Sequence, residues 1–365
     1  MQTRGIFLFT WRYMDFVKIG KMLNDHHVNT VSLQIKSGGR GGVVFYDSNV
    51  APRGWTGKPD LLREGVEKLH VAGIKVRAHV ATFVDPWQAQ EHPERAAVMK
   101  DGLPALPGKG FERGYPTMCP ARPEHREYIH SIVEEISSKY EVDGIDLDYV
   151  RFAYKAPDKY TCYCDYCREH FREDAGLDPL KIEYGTEEWG KWVDWRASKI
   201  TSFVERNTEI LKSNRPDATL QAYIAPWWST SSDRLEVYRI KERFGQDIKA
   251  LSMKLDILAP MLYHKYTDDP DLKIDMRAGW VANLTRWFVQ SGKPAQIWTT
   301  TQCVKGDPAE TREAIREAYN GSADGVIVFG IRIEDMEDQW KQVKDVFSRV
   351  KEVEGKNSLQ RPFSA

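Results

Sequence analysis

The sequence predicts a single (β/α)8 TIM barrel, and three observations carry that prediction. Short β-rich runs alternate with amphipathic helical stretches along the chain, eight times over. Two connections that follow strands are far longer than turns. The length of 365 residues suits one large α/β domain.

The predicted strands are 5–9, 30–35, 75–81, 144–149, 219–224, 256–261, 295–300 and 325–330. Between them the apolar residues take helical spacing. In 60–72, Leu62, Val66 and Leu69 share a face, and Gly73 can close that helix in a left-handed conformation. In 124–139, Tyr128, Ile129, Ile132, Val133 and Ile136 do the same, with Pro123 suited to the first turn. The last helix carries Trp340, Val343, Phe347 and Val350. Eight is the strand number that closes a parallel barrel, so 1–353 is expected to form one domain, with 354–365 as a loose tail. The long connections, 83–118 and 150–186, both leave the C-terminal ends of strands, the face on which barrel enzymes keep their active sites.

Composition narrows the function. Apolar residues make up 41% of the chain, enough for a large core, and the net charge of −1 offers no field for nucleic acid or an anionic membrane. No stretch reaches the length of a membrane span, and the apolar run 5–9 is too short for a signal-peptide core. The chain as given therefore reads as cytoplasmic, although one trimmed of a signal would read the same. Twelve Trp and sixteen Tyr provide the aromatic faces on which sugar rings stack, while most of them serve helix-to-strand packing.

The chemistry concentrates in Asp143-Gly-Ile-Asp-Leu-Asp-Tyr-Val-Arg151. Side chains on a strand alternate, so Ile145 and Leu147 face the helices while Asp146 and Asp148 face the barrel interior. Two carboxylates on one wall repel, so one pKa is expected to rise into the range of a proton donor. Asp146 can instead be a structural acceptor for Arg151 or Lys36. Tyr149 and Arg151 flank the pair as expected substrate contacts. So do His79 on strand three, Tyr223 with Trp227 or Trp228 at the end of strand five, Tyr263 and His264 after strand six, and Trp298 on strand seven. Strand seven lacks a carboxylate, which leaves Asp85, Asp268, Asp269, Glu334 and Asp335 in the loops as candidates for a second one.

Cys162-Tyr-Cys-Asp-Tyr-Cys167, with Cys119 upstream, places four thiols on adjacent loops of one barrel face. Four thiolates close a tetrahedral zinc site with no open position, so a structural zinc held by Cys119, Cys162, Cys164 and Cys167 is expected. A Cys164–Cys167 redox pair and unconnected thiols are the alternatives. Cys303 reads as a plain buried thiol. Gly38-Gly-Arg-Gly-Gly42 lacks the spacing and following helix of a phosphate cradle, and reads as a flexible loop at the cleft edge.

Several stretches resemble the glycoside-hydrolase-family-10-like barrels: Gly41-Gly-Val-Val-Phe-Tyr-Asp-Ser48, Ala72-Gly-Ile-Lys-Val-Arg-Ala-His79, Cys119-Pro-Ala-Arg-Pro-Glu-His-Arg-Glu-Tyr128 leading into Tyr140–Tyr149, and Asp256-Ile-Leu-Ala-Pro-Met-Leu-Tyr-His264. The resemblance implies a TIM barrel acting on polysaccharide. Asp143–Val150 is also similar to the chitinase-type signature, but Val150 stands where that family has its Glu proton donor, so chitinase-type acid catalysis is not implied. The cysteine arrangement resembles the zinc cluster of the family 42 β-galactosidases, although the Asn-Glu that ends their fourth strand is absent.

The function expected is hydrolysis of an oligo- or polysaccharide by Asp148, with Asp146 tuning or orienting it. A barrel that binds glycans without cleaving them is the alternative, favoured by Val150 and the carboxylate-free strand seven. A catalytic metalloenzyme is weaker, because the one strong ligand set is closed.

Overall fold

The computed structural model describes residues 2–11, 13–54, 60–107, 115–154, 160–226, 234–264, 279–303 and 306–355, with the backbone alone at 234–238 and 353–355. Eight parallel strands close in sequence order: β1 (Thr3–Leu8), β2 (Thr30–Lys36), β3 (Lys75–Ala81), β4 (Gly144–Asp148), β5 (Thr219–Ile224), β6 (Ile257–Leu262), β7 (Gln296–Gln302) and β8 (Gly325–Phe329), with β8 pairing back to β1. The helices are α1 (Phe16–Asp25), α2 (Leu61–Val71), α3 (Pro86–Glu91), α4 (Pro123–Lys139), α5 (Asp165–Ala175), α6 (Glu187–Asn214), α7 (Arg234–Phe244), α8 (Ile248–Ser252), α9 (Gly279–Ser291), α10 (Pro308–Asn320) and α11 (Glu337–Gly355). None of them is long and apolar enough to cross a membrane.

The predicted strands and principal helices are found within one or two residues. Asp60 caps α2 by accepting the Arg63 N–H, and Gly73 takes φ +73 after it. Pro123 opens α4, and Trp340, Val343, Phe347 and Val350 of α11 are buried against the barrel. That last helix continues to Gly355, two residues into the expected tail, and the rest of the tail lies outside the described residues. Both long connections carry structure. The one after β3 contains α3 and a 3-10 turn at Pro93–Arg95, and the one after β4 contains α5 and a 3-10 turn at Pro179–Lys181.

Outward-facing Val31, Leu33, Val76, Ala78, Ile145 and Leu147 are fully buried under the helices, which is the main core. The inward face differs. On β1, β6, β7 and β8 it is apolar low in the barrel, where Phe7, Ile257, Trp298 and Ile327 form a second cluster. On β2 to β5 it is polar: Ser32, Lys36, Arg77, His79, Asp146, Gln221 and Tyr223 are all buried there. Glycine makes room for this packing. A Cβ on Gly144 would collide with the Arg77 guanidinium, so the strand that carries both aspartates starts with the one residue that lets Arg77 pass. A cavity of about 600 Å³ opens at the N-terminal end of the barrel, lined in part by Arg77, Thr219, Ile257 and Trp298.

Candidate active site

Strand β4 sets its two aspartates at different depths. Asp146 is 0% exposed. One carboxylate oxygen accepts from Arg77 Nε at 2.6 Å and the other from Ser32 Oγ at 2.5 Å. Ser32 Oγ lies 3.1 Å from the Tyr223 hydroxyl. Arg77 also donates Nη1 to Thr219 Oγ1 at 2.6 Å and Nη2 to the Thr219 carbonyl at 3.0 Å, with its guanidinium 5.0 Å from the Trp298 ring. Asp146 thus ties β2, β3 and β4 together inside the barrel and has no open oxygen to offer a substrate. The partners foreseen for it are engaged elsewhere, since Arg151 faces Asp148 and Lys36 pairs with Asp85. Arg77→Met keeps the volume but strips the counter-charge from a buried carboxylate, at a cost of about 3–5 kcal/mol. Urea unfolding of the variant checks this.

Asp148 sits one step higher, at the strand's C-terminal end, with its side chain 17% exposed. Its surroundings hold it at every point. Thr82 donates both its N–H (3.0 Å) and its Oγ1 (2.7 Å) to the Asp148 carbonyl. Tyr149 follows at φ +57, a left-handed conformation that costs a non-glycine residue about a kcal/mol. That turn aims the Tyr149 N–H at Asp148 Oδ1, 2.6 Å away. His79 Nε2 stands 3.3 Å from Oδ2, and Arg151 Nη1 lies 3.6 Å from Oδ1. Burial pushes this carboxyl up, but the His79 contact first, then Arg151 and the Tyr149 amide, outweigh it and hold Asp148 below the usual carboxylate range. The expectation that repulsion would make one of these aspartates a proton donor is therefore not met at Asp148. Each carboxylate has cationic partners of its own, so Asp148 is an anion at neutral pH.

His125 of α4 supports this turn from behind. Fully buried, it donates Nε2 to the Thr82 carbonyl at 3.0 Å, and burial pushes its imidazole down to about 4. A neutral folded histidine faces an unfolded one that protonates near 6.5, so the unfolded chain binds more protons below that value. Stability is expected to fall by up to about 3 kcal/mol as the pH drops from 6.5 to 4. Urea unfolding at pH 7 and 4.5 should show a smaller pH effect in His125→Gln.

The other predicted residues divide. His79 is wedged between Phe7 (ring centroids 4.7 Å) and Tyr223 (5.7 Å), beside Asp148. Tyr263 stacks on Phe329 at 5.2 Å, and burial raises the phenols of both Tyr223 and Tyr263 well above their ordinary value. His264 Nε2 meets Glu310 of α10 at 2.9 Å. Trp298 does not join this group. As the third residue of β7 it lies low in the barrel, on Arg77 and on the cavity at the N-terminal end, because the strand runs four residues further before it reaches the mouth. Trp227 and Trp228 lie outside the described residues, as do Asp268 and Asp269. Among the remaining second-carboxylate candidates, Asp85 is wholly buried, pairing with Lys36 at 2.7 Å and capping α3. Asp335 pairs with Arg332, and Glu334 is exposed.

Sequence reasoning missed Ser32, Arg77, Thr82, Gln34 and Gln221. The signal was present: polar residues at alternate positions of β2, β3 and β5 mark a polar barrel interior. Several of these buried atoms have no partner among the described residues, namely Gln34 Oε1, both amide atoms of Gln221, Thr300 Oγ1 and His79 Nδ1. This inner wall is therefore polar, with hydrogen-bonding capacity to spare.

The four predicted thiols come together. Sγ of Cys119, Cys162, Cys164 and Cys167 all lie within 4.8 Å of one another, in a buried cluster. Tetrahedral zinc–sulfur bonds of about 2.3 Å set sulfur–sulfur separations near 3.8 Å. Cys119–Cys164, at 3.7 Å, matches that spacing, and Cys119–Cys167, at 3.4 Å, is somewhat shorter. The Val98 N–H donates to Cys162 Sγ at 3.2 Å, a bond that favours the thiolate over the thiol. Burial pushes the Cys119 and Cys167 thiols well up, while donation from its neighbours pulls Cys164 down. A soft cation is what would make all four thiolate at once. Cys303 lies apart, buried, with its thiol pushed up to about 11 by burial.

The model of a family described as "Glycosyl hydrolase-like 10" matches residues 11–290. No curated protein matches the chain. Solved structures of similar fold include the PgaB (BpsB) glycoside hydrolase domain from Bordetella bronchiseptica (14% identity, TM-score 0.71, 95% of this chain and 98% of that one). α-L-Fucosidase isoenzyme 2 from Paenibacillus thiaminolyticus is another (18%, 0.69, 97% and 50%). A third is Gan42B, a GH42 β-galactosidase from G. stearothermophilus (14%, 0.64, 95% and 57%). The chain spans about half the length of the last two, and at these identities the likeness is one of fold.

Proposed function

The chain belongs to the glycosyl hydrolase-like 10 family, and on that premise we propose that it hydrolyses glycosidic bonds of an oligo- or polysaccharide, with Asp148 as its catalytic carboxylate. The observation that carries this reading is the clamping of an ionised Asp148 at the barrel mouth by His79, Arg151 and the left-handed Tyr149 amide. Glycosidic cleavage passes through an oxocarbenium-like state, and a fixed anion beside the anomeric carbon stabilises it. In this role Asp148 is the nucleophile or the base that activates water, and a different group protonates the leaving oxygen. Asp146 positions β4 from below. His79, Tyr223 and Tyr263 supply hydrogen bonds and ring faces to the sugar. We infer further that Cys119, Cys162, Cys164 and Cys167 hold one structural zinc. The ion would tie the loop after β3 to the loop after β4 and take no part in the reaction.

A screen of diverse glycans for new reducing ends tests the hydrolase reading. Turnover on at least one glycan is expected. The second reading, a barrel that binds glycans without cleaving them, is favoured by the fully buried Val150 and by β7, which has no carboxylate. Tight binding with no turnover across the screen would establish it instead.

A further inference from the structure

One aromatic side chain at the mouth has no part in the chemistry above. Tyr115, on the connection between α3 and α4, is 52% exposed although its segment is firmly bonded. Asp85 N–H donates to the Pro116 carbonyl (3.2 Å), and Thr117 N–H to that of Ala105 (3.0 Å). Thr117 Oγ1 donates to the carbonyl of Tyr115 itself at 3.0 Å. The ring meets Tyr149 edge to face, with centroids 6.2 Å apart and an interplanar angle of 67°. Tyr149 is steadied in turn by the Arg151 guanidinium, 4.6 Å from its ring centre. Across the gap, a Cβ on Gly39 would sit 3.6 Å from Tyr115 Cε1. Tyr115 therefore packs on the loop that follows β4, beside Gly39 of the loop that follows β2, and its ring partner is the residue directly after Asp148.

A single exposed aromatic needs no explanation. An anchored one, locked onto the neighbour of the catalytic carboxylate with half its ring open, is a different case. We propose that Tyr115 and Tyr149 form a sugar-binding subsite that takes a pyranose ring of an extended glycan, displaced along the rim from the bond held at Asp148; this rests on the hydrolase reading. The open ring receives the apolar C–H face of the sugar, and the phenol hydroxyls are donors and acceptors for its hydroxyls. Such a subsite favours oligo- and polysaccharide, whose additional rings can occupy it while the scissile bond lies at Asp148.

The test is a chain-length series of a glycan that the wild type cleaves. Tyr115→Ala is expected to reduce the preference in kcat/KM for long over short substrates by roughly five- to tenfold, through KM. Tyr115→Phe should keep that preference, since stacking needs the ring. An unchanged preference in Tyr115→Ala overturns the subsite. Calorimetry in an Asp148→Asn background, with the longest glycan of the series, separates the two claims. An affinity loss of the same size on adding Tyr115→Ala supports the subsite whether or not the wild type turns over, and equal affinity overturns it. Absence of turnover by the wild type bears only on the hydrolase reading.

Discussion

Cys162→Ser protein is expected to lose its zinc and to melt roughly 5 °C or more below the wild type. Wild-type protein should carry about one zinc per chain, the stoichiometry of a closed four-thiolate site. The physical reason lies in what the cluster joins. Cys119 ends the long connection after β3, and the other three ligands enter and begin α5, after β4. A crosslink between two such loops, like a disulfide, is worth about 2–5 kcal/mol, and without the ion buried thiols crowd one another with no charge to hold them together. The β-strands have their own core, so the expected outcome is a destabilised barrel and not an unfolded chain. Metal analysis of freshly purified protein and thermal melting check this. Zinc-free wild-type protein, or a variant with unchanged metal content, would overturn the zinc assignment.

The second large effect concerns Asp148. Asparagine keeps the shape of the side chain: its one oxygen can still accept from the Tyr149 amide while its amide nitrogen turns toward His79 Nε2, so Asp148→Asn should fold normally and bind glycan within a few-fold of the wild type. What it loses is the charge that meets the oxocarbenium-like state, and turnover should fall by about 10³-fold or more. The contrast is with Arg77→Met, whose principal effect is on stability because Asp146 lies below the mouth. The direction of the Asp148 shift adds a pH signature. A carboxyl held below 3.8 stays ionised on acidification until the pH falls under that value. Its contribution to both rate and stability is therefore present above about pH 4 and lost below it. Calorimetric affinity for the glycan, set beside the rate, separates lost chemistry from lost binding.

The architecture was legible because it is written locally. Strands β3 and β5 were found to the residue, since their apolar outward positions alternate with polar inward ones between turn residues. The four-cysteine cluster was legible for a related reason: three sit within six residues, and topology places the fourth on the adjacent loop. What escaped was long-range. Alternation turns Arg77 inward, but its partner Asp146 is 69 residues away, and nothing local says which group would meet the guanidinium. Strand four was expected to run to Tyr149, a residue with high strand propensity. The hydrogen bonds of Thr82 and Asp148 instead turn Tyr149 left-handed, a tertiary constraint overriding local preference. Trp298 was expected at the mouth on its residue type alone, and its place near the start of β7 put it at the other end. Asp85 reads in the sequence as a loop carboxylate, and its buried partner Lys36 comes from a different strand, which local pattern does not reveal.

The central claim is that the ionised Asp148 is the carboxylate on which cleavage depends. Its most direct test is the turnover of folded Asp148→Asn at saturating concentration of a glycan that the wild type cleaves. A rate at or below about one-thousandth of wild type is expected. A rate within tenfold of wild type would contradict it and place the reaction centre elsewhere on the barrel.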